Sequence, residues 1–288
     1  MALNLYGLAI ALGVAAAIFY MSRQEAALGL PRDTGIDVAL YAVPLAVIVS
    51  RLYFVAFTWD DYKDDLLKIL RIWEGGVAIY GGIIGGALGV FILSRRRRLP
   101  FVALADLVAP ALILGQAIGR WGNFFNQEAY GYVVSDPALQ FFPLAVFADG
   151  SWHMATFFYE SLWNLAGFVF IHINRKRFLL KGRGMLFAWY LIWYGLGRMV
   201  IEGLRTDSLM WGSLRISQVL SVWLVIAAGI WVLRRTRGKK VLFLLPAAAI
   251  LAGALAAAGT LYWARYVMFI SLFAFAGTLL PAFFGNRA

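Results

Sequence analysis

Between Gly115 and Gly131 the chain reads GQAIGRWGNFFNQEAYG, which sets Arg120, Asn123, Asn126, Gln127 and Glu128 at the end of a long apolar run. Guanidinium, amide and carboxylate groups are expensive at membrane depth, and there they mark a ligand or ion site. The planar fork of an arginine suits bidentate recognition of a phosphate. Glycines 115, 119 and 122 leave open space around Arg120, and Asn123 follows three residues on, near the same helical face. A lone arginine at the end of a span snorkels to water; this one has polar company and reads as a phosphate holder. A second constellation is YGLGRMVIEGLRTD, in which Tyr194, Arg198 and Glu202 stand four residues apart and share a face, with Arg205 on the same side. Arg198 and Glu202 read either as a pair that neutralises itself or as a carboxylate that preorganises a guanidinium for phosphate.

The elements that must carry these groups are membrane spans. Of 288 residues 62% are hydrophobic, mean hydropathy is +0.76 and net charge is +11. Apolar windows of about 20 residues fall near 5–21, 36–57, 75–93, 101–120, 156–173, 184–203, 216–233, 241–260 and 266–284. Basic clusters lie in alternate connections: Arg23 and Arg32, Arg95 to Arg98, Arg175 to Arg183, and Arg234 to Lys240. That pattern explains the charge as topology rather than nucleic-acid binding, with the basic connections cytoplasmic, the amino terminus outside and the carboxy terminus inside. The first twenty residues lack a basic leader region and a clear cleavage site, so they read as a retained span.

The fold class is therefore an all-α polytopic membrane protein. Gly81, Gly85 and Gly89 repeat every fourth residue, a smooth face for close helix packing. Segment 127–155, with Tyr130, Tyr132, Phe141, Phe142, Phe147, Pro137 and Pro143, is long enough to form an arm or small cap at the interface. The chain has no cysteine, which excludes disulfides, thiolate metal sites and a thiol nucleophile of its own. No nucleotide or metal motif is present, so neither a metal nor a cofactor is expected.

The run G-R-x-G-N-F-x-N-x-E-x-x-G closely resembles the signature of the prolipoprotein diacylglyceryl transferases. Other pieces resemble the same family in order along residues 5–235: Leu5-Tyr6-Gly7-Leu8, Arg51-Leu52-Tyr53, Trp73 to Gly76 with Tyr80-Gly81-Gly82, Thr156 to Ser161, the stretch holding Tyr194, Arg198 and Glu202, and Leu214 to Gln218. The resemblance implies an enzyme of the bacterial cytoplasmic membrane, with a seven-helix transferase core over 1–235. Residues 236–288 then read as an appended two-helix hairpin. The partners implied are phosphatidylglycerol, prolipoprotein signal peptides bearing a lipobox cysteine, and surrounding membrane lipids, with no nucleic acid.

In that reading Arg120 and Arg198 hold the phosphodiester while a substrate thiolate takes the diacylglyceryl group in the outer half of the bilayer. Asn123, Asn126, Glu128, Gly131, Tyr6 and Tyr194 are carried over as substrate-binding positions, and Tyr80 and Glu202 as candidate proton acceptors. Some family members have a histidine, cast as the base, where this chain has Tyr80. An ordinary tyrosine pKa near 10 suits that task poorly at neutral pH, so Tyr80 also reads as a headgroup-orienting group. His153 stands one residue early for the family's His-Pro pair and reads as a loop histidine. A transporter or flippase that uses the same arginines for anionic headgroups stays open.

Overall fold

The computed structural model describes residues 4–206, 210–211 and 214–236. Among the described residues seven α-helices follow one another: α1 (Leu5–Gln24), α2 (Thr34–Phe57), α3 (Ile79–Arg97), α4 (Phe101–Phe125), α5 (Thr156–Leu180), α6 (Met185–Leu204) and α7 (Ile216–Thr236). Between α4 and α5 lies a hairpin of β1 (Ala145–Ala148) and β2 (Ser151–Met154); between α6 and α7 lies a smaller one, β3 (Met210–Trp211) and β4 (Leu214–Arg215). The molecule is helical and membrane-spanning in character. By length and composition α1, α2, α4 and α7 can cross a bilayer, while α3, α5 and α6 carry the arginine run, Glu160, and Arg198 with Glu202. The two windows expected at 241–260 and 266–284 lie outside the described residues.

The described residues form two compact units: Ala16–Ala111, and those up to Ala15 together with those from Leu112 on. In the first, α2 and α3 approach so closely that added methyl groups would strike backbone. One on Gly81 would come within 2.7 Å of Ser50 Cα, and ones on Gly85 and Gly89 would meet the Leu45 and Tyr41 carbonyls. The four-residue glycine repeat therefore makes a helix seam. Buried Glu25 starts α2 by accepting the backbone N–H groups of Asp33 (2.8 Å) and Gly35 (2.9 Å), which places a carboxylate at the positive end of the helix.

In the second unit α5 and α6 are locked by a reciprocal tryptophan pair. Each indole donates to the other's backbone carbonyl at 2.9 Å, and the rings stack at 4.5 Å between centroids. Gly197 and Gly167 make room for the two rings. Segment 127–155 folds as a small cap with an apolar core of Tyr130, Val134, Leu139, Ala145, Met154 and Phe157. Its hairpin turns at Asp149-Gly150, both at positive φ (48° and 76°), the backbone that two-residue hairpin turns require.

Candidate active site

Arg120 does not end its span. α4 runs on to Phe125, because neither Gly122 nor Asn123 breaks it: the Asn126 N–H still bonds Gly122 O at 3.0 Å. Arg120 is thereby held more than a turn inside the helix, where its guanidinium meets α5. Its Nη2 donates to Glu160 Oε1 at 2.5 Å, and its Nη1 to Asn123 Oδ1 at 3.2 Å. Asn123 Nδ2 in turn donates to Glu128 Oε1 at 2.9 Å. On the other side of Glu160, Oε2 accepts from Arg198 Nη1 at 3.2 Å, and Arg198 Nη2 lies 2.6 Å from Glu202 Oε2. The result is one chain of alternating charge across three helices: Glu202, Arg198, Glu160, Arg120, then Asn123 and Glu128.

The two carboxylates within the helices are almost fully covered, with side chains 4% (Glu160) and 3% (Glu202) exposed, whereas Arg120 and Arg198 keep 19% and 16%. The acids are the buried backing and the guanidiniums the accessible face. A guanidinium within apolar helices needs paired charge; here Glu160 and Glu202 supply it from one side and leave part of each guanidinium open.

Glu160 is the residue that sequence reasoning placed only within a motif and gave no role. Its signal was available: it is the single acidic residue of α5, and an isolated carboxylate inside a span calls for a cationic partner. Arg215 was likewise given no role. It donates to the backbone carbonyls of Glu202 and Arg205 and to the Tyr132 hydroxyl, closing the C-terminal end of α6 where a cation is favoured.

The other candidate positions distribute as follows. The Tyr6 ring packs where a Gly122 side chain would stand, 2.9 Å from an added methyl group. Tyr194 sits one turn before Arg198 and stacks on Tyr190 at 5.8 Å. Gly131 bridges to Arg205, and any side chain there would collide with Met154 Cβ (2.7 Å) and Leu204 O (2.9 Å); a close backbone approach requires the glycine. Asn126 is exposed beyond the helix end and joins no side-chain hydrogen bond among the described residues. His153 is tied into the cap, its Nδ1 3.2 Å from Gly131 O and its Nε2 2.8 Å from Ser151 Oγ. Beside it, burial, then the carboxylates of Asp149 and Glu128, push the Tyr130 phenol above its ordinary value. Tyr80, half-buried in the first turn of α3, belongs to the other compact unit.

This arrangement suits an anionic ligand in an apolar setting, and comparison with known proteins agrees in kind. The family model described as prolipoprotein diacylglyceryl transferase matches residues 1–234. Three similar proteins are all named phosphatidylglycerol–prolipoprotein diacylglyceryl transferase. The one from Geobacillus kaustophilus is 46% identical over 241 residues, covering 81% of this chain and 88% of its own length. The one from Halalkalibacterium halodurans is 44% identical over 241 residues, covering 81% and 83%. The one from Listeria monocytogenes serotype 4a is 44% identical over 239 residues, covering 81% and 86%. With its motifs in order, its helices formed and its arginines joined through Glu160, the chain belongs to the prolipoprotein diacylglyceryl transferase family of enzymes.

Proposed function

We propose that this enzyme transfers the diacylglyceryl group of phosphatidylglycerol to the lipobox cysteine of a prolipoprotein. The observation that carries the reading is the Glu160-bridged pair of guanidiniums set inside apolar helices. The lipid enters sideways from the bilayer, and Arg120 and Arg198 receive its phosphodiester oxygens. The cysteine thiolate attacks C3 of the diacylglycerol. A C–S bond forms, the C3–O bond breaks with its electrons moving to the phosphate oxygen, and glycerol 1-phosphate leaves. Fixed cationic donors offset the charge that grows on the departing phosphate.

A cysteine with an ordinary pKa near 8.5 is mostly thiol at neutral pH, so its proton needs an acceptor. Glu202 and Tyr80 are the candidates. Asn123 and Glu128 steady Arg120, while Tyr6, Tyr194, Asn126 and Gly131 complete the walls and approaches of the site. The basic clusters support a bacterial cytoplasmic-membrane protein with the amino terminus outside, the carboxy terminus inside and the arginines toward the outer half. Residues 1–235 act as the transferase core and 236–288 as an addition to it.

Mass spectrometry tests the reaction directly. Purified protein with a lipobox peptide and phosphatidylglycerol should add one diacylglyceryl mass to the cysteine. A peptide that stays unmodified while the protein still binds the lipid would overturn catalysis in favour of transport.

A further inference from the structure

One helical turn toward the middle of the bundle from the arginines lies a second polar layer, uncharged and incompletely paired. Gln116 precedes Arg120 by four residues on α4, and Asn164 follows Glu160 by four on α5, so each stands on the face of its charged neighbour. The helix register brings the two to one level. Along α4 and α5, Arg120 meets Glu160, the Ser161 hydroxyl donates to Ala117 O at 2.7 Å, and Gly167 faces Ile113. Positions rise on one helix as they fall on the other, which sets Gln116 opposite Asn164. Along α5 and α6, Glu160 meets Arg198 and Trp163 meets Trp193, which sets Tyr194 at that same level. Gln116 Nε2 donates to the Tyr190 hydroxyl at 3.2 Å, and Tyr190 stacks on Tyr194.

Asn164 is 1% exposed, and neither its Oδ1 nor its Nδ2 has a partner among the described residues; the same holds for buried Gln116 Oε1. Buried amides without partners are rare and call for a reason. The unmet demand here is specific: two amide oxygens that must accept and one NH2 group that must donate. An ester carbonyl only accepts and an ammonium only donates, so neither meets it. A pair of neighbouring hydroxyls meets all of it, each giving a hydrogen to one amide oxygen while one accepts from Asn164 Nδ2. Four residues of helix rise about 6 Å, roughly the reach from a phosphate to the far hydroxyls of a glycerol attached to it.

We infer that Gln116 and Asn164 form a diol-recognition subsite for the glycerol headgroup of an anionic phospholipid whose phosphate is held by Arg120 and Arg198. The inference rests on the transferase reading for the identity of the lipid and assigns its headgroup selectivity to two amide side chains. Neither is part of the charge network, so both can be replaced with the arginine cluster intact.

The test compares phosphatidylglycerol with phosphatidylpropanol, which carries the same charge and acyl chains but no diol. The wild type should prefer phosphatidylglycerol by at least about tenfold in kcat/KM, because a site that hydrogen-bonds a hydroxyl rejects the analogue lacking it. Asn164→Leu and Gln116→Leu should each lose rate on phosphatidylglycerol, keep it on phosphatidylpropanol, and so shrink the preference toward unity. The rise in Tm on adding each lipid to detergent-solubilised protein reads the same preference without turnover, and Asn164→Leu should raise the lipid-free Tm because its orphaned amide is gone. Equal losses on both lipids, or a wild type that does not distinguish them, would overturn the subsite and leave a buried water as the amides' only partner. Failure to modify the peptide with either lipid, while the Tm preference persists and vanishes in the variants, would overturn the transferase reading and uphold the subsite.

Discussion

Two arginine sites in this molecule use the same side chain in opposite ways. In the unit of α2 and α3, Arg51 is 4% exposed and donates only to backbone carbonyls: Ile69 (2.9 Å), Gly75 (2.6 Å), Gly76 (2.8 Å), Lys68 (2.5 Å) and Arg71 (3.4 Å). Its guanidinium also lies 5.1 Å from the centre of the Tyr62 ring. All three of its nitrogens are spent on stitching the 66–76 segment, and Gly76 is needed because any side chain there would strike Nη1. In the other unit, Arg120 and Arg198 face shared carboxylates and keep part of their surface open. A guanidinium enclosed by carbonyls is a keystone. A guanidinium backed by buried acids and open on its far side is poised for an anion. The charge of the side chain is alike in the two sites; the partner's chemistry and the surface left open separate them.

The comparison breaks most visibly if Arg120 proves dispensable. Arg120→Ala should leave an inserted protein whose turnover falls by about 10²–10³-fold or more, the usual loss when a donor to a developing oxyanion is removed. Arg120→Lys should recover little, because an ammonium cannot bond Glu160, Asn123 and a phosphate in one plane. Near-normal turnover in purified Arg120→Ala would end the phosphate-holding role.

Next in size comes the backing. Glu160→Gln keeps the shape but removes the charge that holds both guanidiniums, and turnover should fall by about 10²-fold, as for other small misplacements of catalytic groups. Arg120→Ala/Glu160→Gln should then be little worse than Arg120→Ala alone, since groups in one network do not lose their effects independently. Additive losses in log rate would give Glu160 a task beyond positioning, such as accepting the thiol proton.

Arg120, Arg198 and Glu202 were legible in the sequence because charges interrupt apolar runs and because i, i+4 spacing is local. Glu160 was not assigned, since its partners stand 40 and 38 positions away and only the packing of α4, α5 and α6 brings them together. The helices were legible for the same local reason, and α4 overran its expected end because Trp121 to Phe125 continue an apolar helix past the arginine. Segment 127–155 was expected as an arm or small cap, but its strands were not. Asp149-Gly150 was the available turn signal, yet the flanking strands are only four residues long, too short for alternation to stand out. Arg51 was noticed only by resemblance; that it binds carbonyls rather than a ligand depends on a loop of short helical turns whose path no local pattern reveals.

A smaller effect is expected at Tyr80, which sharpens the contrast between positioning and proton transfer. If its hydroxyl only hydrogen-bonds the headgroup, Tyr80→Phe should cost about 1 kcal/mol, roughly fivefold in turnover. A fall of about 10²-fold or more in kcat, with unchanged affinity for phosphatidylglycerol, would instead identify the phenol as the base.

The smallest effect on turnover, and the one that tests the keystone reading itself, belongs to Arg51. Arg51→Lys keeps the charge but loses the fork that reaches carbonyls on several sides at once. One lost charge-assisted bond is worth about 2 kcal/mol, which lowers Tm by about 4–8 °C for a chain of this size. Below that transition the 66–76 segment still closes and turnover should stay within about twofold of wild type. Thermal unfolding and turnover measured on the same preparation decide it. A lowered Tm with normal turnover matches a keystone that never touches the lipid. An unchanged Tm with turnover as poor as in Arg120→Ala would mean that carbonyl-bound arginines also act on the anion, and partner chemistry would no longer separate the two sites.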